Sequence, residues 1–366
     1  MKRVILSGGG TGGHIYPAVA VAEALKRKWG EDVELLFVGA EGKMEMEKVP
    51  ALGYNIKGLP VAGLQRRLAL SNFALPFKVM ASIRRAKRII RDFGADIVVG
   101  FGGYASAPVL RAAQSLGVPT LIQEQNSYAG LTNKLLSKRA KRICVAYEGM
   151  ERFFPKERIV MTGNPLRGRF SAEGVDRAEA LAYYGFNSDM PVILVVGGSL
   201  GTRTLNEMMK AWILTLGGEA PVQVIWQTGK YYEREMQEFL KAHPTKNIWQ
   251  GAFIERMDYA YAAADVVLSR SGACTVSELC LVAKPTIFVP SPNVAEDHQT
   301  KNAMALVNKG AAEIVRDSEA VARGMQEAVA LAEDKERLTT LKTNIANLAI
   351  DDSAERVVRE IEKLIK

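Results

Sequence analysis

Cysteine is scarce in this chain. Its 366 residues hold three, Cys144, Cys274 and Cys280, an odd number with none of the spacings that hold a metal. That excludes a disulfide-built scaffold and fits a reducing compartment. Long hydrophobic runs are missing as well. None reaches the ~18 residues of a membrane-spanning helix. The apolar run behind Met1-Lys2-Arg3 is too short for a signal peptide. The expectation is therefore a cytoplasmic protein. Histidine is equally scarce, at three residues, and no low-complexity segment interrupts the sequence. At this length two domains are the natural expectation, since one core rarely grows past ~250–300 residues.

What is present is glycine in clusters. Ser7 to His14 reads S-G-G-G-T-G-G-H, behind the apolar run Val4-Ile5-Leu6 and before a helical pattern beginning near Tyr16. A strand, a glycine loop and a helix start bring backbone N–H groups and a helix's positive end against an anion, usually phosphate. Gly8, Gly10 and Gly13 also satisfy G-x-G-x-x-G, which alone is weak evidence for a dinucleotide site. That reading wants an acid at the end of the second strand, Val33 to Val38, and the nearest, Glu41, comes late. A tight turn of purely structural purpose is the other alternative.

Strand and helix patterns then alternate. Phe77 to Arg91 reads as a helix with Val79, Met80, Ile83, Ala86 and Ile90 on one face. Asp96 to Gly100 is a buried strand leading into a second glycine loop, Gly100-Phe-Gly-Gly-Tyr104. The pattern begins again at Met190–Val196, followed by a third loop, Gly197-Gly-Ser-Leu-Gly. Such alternation means parallel sheets with helices on both faces, and its repetition means two similar domains. The join falls near Gly163-Asn-Pro-Leu-Arg167, dividing the chain into 1–163 and 164–344. The last segment, Asp352 to Lys366, is amphipathic, with Ala354, Val357, Val358, Ile361, Leu364 and Ile365 on one face.

The net charge of +8 is unevenly placed. Residues 61–92 carry eight basic side chains (Arg66, Arg67, Lys78, Arg84, Arg85, Lys87, Arg88, Arg91) against one acid, Asp92. Leu68, Leu70, Phe73, Leu75 and Phe77 are interleaved with them. A solvated helix face would account for the cations. So would an anionic membrane surface, which cations with apolar neighbours can hold peripherally. Nucleic acid is not expected, since the charge is confined to one segment and no binding motif accompanies it.

A second constellation runs from Asp265 to Glu278, D-V-V-L-S-R-S-G-A-C-T-V-S-E. A strand ends at Leu268, Ser271-Gly272 turn, and a helix starts near Ala273, whose free N–H groups suit a diphosphate. Glu278 could accept hydrogen bonds from both hydroxyls of a ribose. Ser271 as an N-cap with Glu278 merely solvated is the plainer alternative. Downstream, the polar loop Asn293–Asn302 carries Glu296, Asp297, His298 and Gln299, suited to a sugar's hydroxyls.

The motifs G-G-G-T-G-G-H, G-F-G-G-Y, Q-E-Q-N (Gln123–Asn126), G-L-T-N (Gly130–Asn133), G-N-P-L-R, G-G-S-L-G and R-S-G-A-C-T-V-S-E stand in one order over one chain. In this the sequence resembles the MurG family of peptidoglycan glycosyltransferases. The resemblance implies an α/β fold of GT-B architecture, two Rossmann-like parallel-sheet domains facing a cleft, with a C-terminal helix (about 345–366) returning to the first. It implies an inverting hexosyltransferase that moves N-acetylglucosamine (GlcNAc) from UDP-GlcNAc to the 4-hydroxyl of the N-acetylmuramoyl (MurNAc) sugar of lipid I, giving lipid II for cell-wall synthesis.

By the same resemblance the donor meets Ile254 and Phe253 at uracil, with Arg167 nearby. Ser199 and Ala273, Cys274, Thr275, Val276 and Ser277 hold the diphosphate, and Glu278 the ribose. Gln299 and Asn126 touch the transferred sugar, with Thr11, Gly12 and Gly13 closing the site. The acceptor's diphosphate lies on Gly10, Gly102, Gly103 and Tyr104. His14 is the candidate base, since an imidazole's ordinary pKa of about 6.5 suits proton removal. No D-x-D pair of the metal-dependent sugar transferases is present, so no metal and no cofactor are expected. The expected site of action is the cytoplasmic face of the inner membrane. An anionic lipid surface held through residues 64–91 and other cell-wall synthesis proteins are the candidate partners. Gln123 stands where many relatives have His, and His298 where many have Gln. A UDP-GlcNAc 2-epimerase is the nearest rival enzyme, and an NAD-dependent oxidoreductase the next.

Overall fold

A computed structural model describes residues 1–61, 75–167, 174–187, 189–198 and 200–365. Contacts divide the chain into two units. The first is Met1–Gly168 with Ile350–Lys366, and the second is Arg169–Ala349. The boundary thus falls a little after the 163/164 join read from the sequence.

The first unit runs β1 (Lys2–Ser7), α1 (Gly12–Trp29), β2 (Val33–Ala40), α2 (Glu45–Ala51), β3 (Ile56–Leu59), α3 (Leu75–Phe93), β4 (Ile97–Gly100), α4 (Gly103–Leu116), β5 (Thr120–Glu124), α5 (Leu131–Ser137), β6 (Arg142–Val145) and β7 (Ile159–Met161). Its seven strands lie in the order β3-β2-β1-β4-β5-β6-β7. Every pairing is parallel, as in Val4 beside Leu35 on one side and Ile97 on the other. Strands buried on both faces read as apolar runs, which is why Val4-Ile5-Leu6 and Ile97-Val98-Val99 lack alternation. The sheet's order reverses between β1 and β4. At such a switch point the two following helices leave on opposite faces and open a crevice outside the strands' carboxyl ends. Two of the glycine loops stand there.

The second unit runs α6 (Arg177–Tyr184), β8 (Val192–Val196), α7 (Arg203–Ile213), β9 (Glu219–Gln227), α8 (Glu233–Ala242), β10 (Lys246–Gly251), α9 (Met257–Ala263), β11 (Val266–Ser269), α10 (Ala273–Leu281), β12 (Thr286–Phe288), α11 (His298–Val307), β13 (Glu313–Ile314), α12 (Asp317–Glu333) and α13 (Lys335–Ala346). Its strand order is β10-β9-β8-β11-β12-β13, again wholly parallel. The switch point lies between β8 and β11, where the third glycine loop and the Ser271–Gly272 turn leave the sheet.

The chain then closes with α14 (Ser353–Glu362), part of the first unit. Val357, Val358 and Ile361 are buried in the core of β1, β2 and α1, with Leu364 and Ile365 packed at its edge. The amphipathic face read from the sequence is thus the face that docks. Arg27–Glu355 (2.9 Å) and Lys28–Glu362 (2.5 Å) flank it.

Three sequence expectations are corrected. Helix α1 begins at Gly12 and not near Tyr16, so Gly12, Gly13 and His14 form its first turn. Gly58 to Asn72 reads as loop in the sequence, yet Gly58 and Leu59 lie in β3; residues 62–72 of that stretch are outside the described residues. On α3 the buried face is Ser82, Ala86, Ile89 and Ile90, while Val79 and Met80 stand exposed beside Lys78. The apolar stripe therefore leaves the core in the helix's early turns. Among the described residues, no helix is long and apolar enough to cross a membrane.

Candidate active site

In the first unit the site is built from two glycine loops in contact. Phe101 N–H donates to Ser7 C=O at 2.8 Å and ties the loops together at their roots. Gly102 and Gly103 have φ of +90° and +81°, the left-handed region that L side chains rarely adopt. A Cβ on Gly103 would lie 2.3 Å from Gly9 O, and one on Gly102 3.0 Å from His14 Nε2. Only glycine lets the second loop close on the first. Thr11 is the N-cap of α1, and its Oγ1 is 3.4 Å from His14 Nδ1. His14 Nδ1 also lies 2.9 Å from Gly9 O. A carbonyl accepts only, so Nδ1 carries the hydrogen and the neutral ring keeps its lone pair at Nε2, against Gly102. Tyr104 is exposed at the start of α4.

The acid that shapes this loop is Glu45, the first residue of α2, which the sequence reading did not single out. It is fully buried, and its carboxylate accepts Ala40 N–H through Oε1 and Gly10 N–H through Oε2, both at 2.9 Å. Gly9 has no room for a Cβ because Glu45 fills the space. Gly10 N–H, expected to face an acceptor phosphate, is therefore already donated. Glu41, the acid considered from sequence, pairs instead with Arg85 at 2.7 Å. Glu45 was missed because α2 was not foreseen.

A second buried acid, Glu124 at the end of β5, organises the Gln123–Asn126 motif. It accepts from Asn126 N (3.1 Å), Asn126 Nδ2 (3.4 Å), Gly130 N (3.0 Å) and Asn133 Nδ2 (2.8 Å). Asn126 is thus held in place by its neighbour two residues back. Gln123 donates to Asn164 Oδ1 at 3.1 Å, and Gln125 Nε2 donates to Phe101 O at 2.8 Å. Gln123 lies inside a buried amide network beneath the second glycine loop. Arg167, expected in the second domain beside uracil, falls in the first unit, with Nε 3.4 Å from Glu23 on α1.

In the second unit α10 starts with no side-chain cap. Its N-cap is Gly272, not Ser271, because Ser271 Oγ donates to Gln299 C=O at 2.9 Å. Ala273, Cys274, Thr275, Val276 and Ser277 form the following turns, and Val276 is buried. Burial pushes the Cys274 thiol up to about 12, so it stays protonated and is no nucleophile. Glu278 is enclosed beside Tyr261, whose hydroxyl lies 3.5 Å from Oε2. Burial pushes its carboxyl up to about 7.

Gln299 accepts Ser291 N–H through Oε1 at 2.8 Å, which orients the side chain. Just before it, Glu296 and Asp297 both have positive φ, +55° and +51°. Two such residues in succession store backbone strain in the turn that leads into α11. Ile254 is buried, and its N–H donates to Gln227 Oε1 at 3.3 Å, whereas Phe253 is 58% exposed. The ring is thus the member of that pair free to meet a base. Gln227 Nε2 also donates to Gly198 O at 2.8 Å, linking the Ile254 turn to the third glycine loop. Ser199 in that loop lies outside the described residues. Arg270, unremarked from sequence, ties β11 to α12 through Asp317 (2.5 Å) and to Val289 O (2.7 Å).

Among the described residues, no group of three or more His, Cys, Asp or Glu could hold a metal ion. At the opposite end of the first sheet, before β5, β6 and β7, a cavity of about 640 Å³ is lined by Lys138, Arg139, Lys141, Arg142 and Arg158.

Two all-parallel units, each with glycine loops and a helix start at its switch point, define a nucleotide-sugar-handling protein of GT-B architecture. Two family models match, the glycosyltransferase family 28 N-terminal domain over residues 4–145 and its C-terminal domain over 192–357. The chain belongs to glycosyltransferase family 28. It is 54% identical over 363 residues to the "UDP-N-acetylglucosamine--N-acetylmuramyl-(pentapeptide) pyrophosphoryl-undecaprenol N-acetylglucosamine transferase" of Parabacteroides distasonis, covering 99% of this chain and 98% of that one. It is 52% identical to the protein of the same name from Cytophaga hutchinsonii, over 99% of this chain and 97% of that one. The crystal structure of Acinetobacter baumannii MurG is 31% identical, with a TM-score of 0.79, covering 99% of this chain and all of that one.

Proposed function

We propose that this enzyme transfers GlcNAc from UDP-GlcNAc to the 4-hydroxyl of the MurNAc sugar of undecaprenyl-diphosphate-linked MurNAc-pentapeptide, with inversion at the anomeric carbon and without a metal. The observation that carries the reading is end-to-end identity of 54% to a transferase named for that donor and acceptor. The start of α10 supports it, with Glu278 in reach of a ribose and a helix's positive end for a diphosphate. A dinucleotide reading loses support, because Glu45 already occupies Gly10 N–H in the first glycine loop.

In this mechanism the acceptor oxygen attacks the anomeric carbon as the bond to the UDP oxygen breaks. The electron pair leaves with UDP, and the acceptor's proton goes to His14 Nε2. The N-terminus of α10 stabilises the departing diphosphate electrostatically, the part a divalent cation plays elsewhere. Glu278 accepts from the ribose, and the Gln299 amide nitrogen and Asn126 contact the transferred sugar. The first unit carries the acceptor's diphosphate beside Gly102, Gly103 and Tyr104. It also rests on the anionic inner face of the membrane through α3.

The test is thermal unfolding with UDP, UDP-GlcNAc or NADH, followed by a transfer assay with and without EDTA. A ligand at 100 times its Kd stabilises the folded state by about 2.7 kcal/mol. Stabilisation by both uridine ligands and transfer unaffected by EDTA are the expected results. Stabilisation by NADH alone would overturn the function. Conversion of UDP-GlcNAc without acceptor would indicate an epimerase. Loss of transfer in EDTA, restored by a divalent cation, would remove the metal-free mechanism.

A further inference from the structure

One peptide group joins Glu45 to His14. Gly10 N–H donates to Glu45 Oε2 at 2.9 Å. The carbonyl of the same peptide, Gly9 C=O, accepts from His14 Nδ1 at 2.9 Å. We infer that Glu45 is a positioning residue for His14, acting through the Gly9–Gly10 peptide much as a triad's aspartate acts on its histidine directly. The inference rests on the reading of His14 as base.

The argument is electrostatic and geometric. Both carboxylate oxygens accept N–H groups, Ala40 on one side and Gly10 on the other, so the side chain cannot rotate without losing a buried bond. A charged acceptor polarises the peptide it holds, which makes Gly9 C=O a stronger acceptor for the imidazole. That fixes the Nδ1–H tautomer, turns the Nε2 lone pair toward the second glycine loop, and stabilises the imidazolium formed when the acceptor hydroxyl gives up its proton. No proton travels along the peptide. Nδ1–H and Gly10 N–H stay where they are while Nε2 gains the acceptor's proton.

The cost is built into the sequence. Gly9 and Gly39 must both lack a side chain, because a Cβ on either would lie within 2.5 Å of Glu45. Of the other ionisable groups on the flanking elements, Tyr16, Lys26, Arg27 and Lys28 on α1, Lys43, Glu47 and Lys48 around α2, and Tyr104 and Arg111 on α4 are exposed, while Glu41 pairs with Arg85 and Glu23 with Arg167. Glu45 is the carboxylate in hydrogen-bond contact with the loop.

Two measurements test this. The first uses the native protein: ¹⁵N-imidazole NMR, with the His14 signals assigned by their loss in His14→Ala. The neutral Nδ1–H tautomer is expected, and the Nε2–H tautomer would overturn the inference whether or not any Glu45 variant folds. The second compares Glu45→Gln, His14→Ala and the double variant. General-base help is worth ~10²–10⁴-fold, so losing its orientation should lower kcat by about tenfold or more. The KM for UDP-GlcNAc should stay within about twofold, and the acid limb of the pH–rate profile should move to lower pH, because the imidazole loses its compensating charge. The double variant should be no slower than His14→Ala alone. Multiplying effects with an unmoved acid limb would reduce Glu45 to a structural part. Normal turnover by His14→Ala would instead sink the base assignment itself.

Discussion

Among single residues, Glu278 makes the sharpest prediction. Its pKa in the free protein is raised by burial from 4.5 to about 7. The folded state therefore holds a proton that the unfolded state releases, and this group's contribution to stability falls as pH climbs from about 4.5 to 7. A ribose reverses the preference, since its hydroxyls donate and need the carboxylate form. UDP-GlcNAc should bind more tightly as pH rises through 7, by about tenfold between pH 6 and pH 8. Calorimetric titration at the two values checks this, and the diester-linked diphosphate of the intact donor adds no ionisation of its own in that window. Glu278→Gln should bind more weakly at pH 8 and lose the pH dependence. An unchanged dependence in that variant would assign it to another group. The sequence offered Glu278 because it stands inside a long motif. It did not offer Glu45, whose role depends on α2 folding back over the first glycine loop. That contact is tertiary and leaves no local pattern beyond a carboxylate a few residues past a strand.

At the level of elements, both switch points were legible because buried parallel strands leave apolar runs and the loops after them leave glycine clusters. Short or edge strands such as β3, β7 and β13 left too few residues for either pattern. The glycine loops also show why their composition is so restricted. Gly103→Ala would place a Cβ 2.3 Å from Gly9 O at φ +81°. Gly9 O is the partner of His14 Nδ1, so the displacement should reach the imidazole. The expected result is a loss of kcat of tenfold or more, with thermal stability lowered by about 1–2 kcal/mol for the strained backbone. Full activity in that variant would show that the second loop can move away from the first without disturbing the histidine.

Helix α14 gives a contrasting case, because its sequence pattern predicted both the helix and its buried face. Ile361→Ala should cost about 2–5 kcal/mol in denaturant unfolding, while Glu355→Ala, which removes an exposed pair with Arg27, should cost no more than about 1 kcal/mol. Equal costs would mean that the pairs rather than the apolar face hold the C-terminus on the first unit.

For the whole molecule, the distribution of charge makes the proposed membrane attachment testable. Nearly all of the net +8 lies in residues 61–92, where α3 carries Lys78, Arg84, Arg88 and Arg91 exposed along its length and Val79 and Met80 exposed in its early turns. Cations on the same helix as exposed apolar side chains are what a peripheral protein needs on anionic lipid. The rest of the chain is close to neutral, so under the proposed attachment this segment would supply the electrostatic attraction. Arg85 is the wrong residue to change, because it is already paired with Glu41. Reversing Arg84 and Arg88 to glutamate alters the segment's charge by four. At ~1 kcal/mol per cation near anionic lipid, partitioning onto phosphatidylglycerol vesicles should fall by about two to three orders of magnitude. The loss should be larger at low salt than at 0.15 M, where a Debye length of about 8 Å screens the attraction. Transfer to a short-chain, water-soluble acceptor should be kept, since neither arginine belongs to the site, whereas transfer to vesicle-embedded acceptor should drop with binding. Undiminished co-sedimentation of the double variant would show that α3 does not carry the attachment and that its arginines are a solvated face.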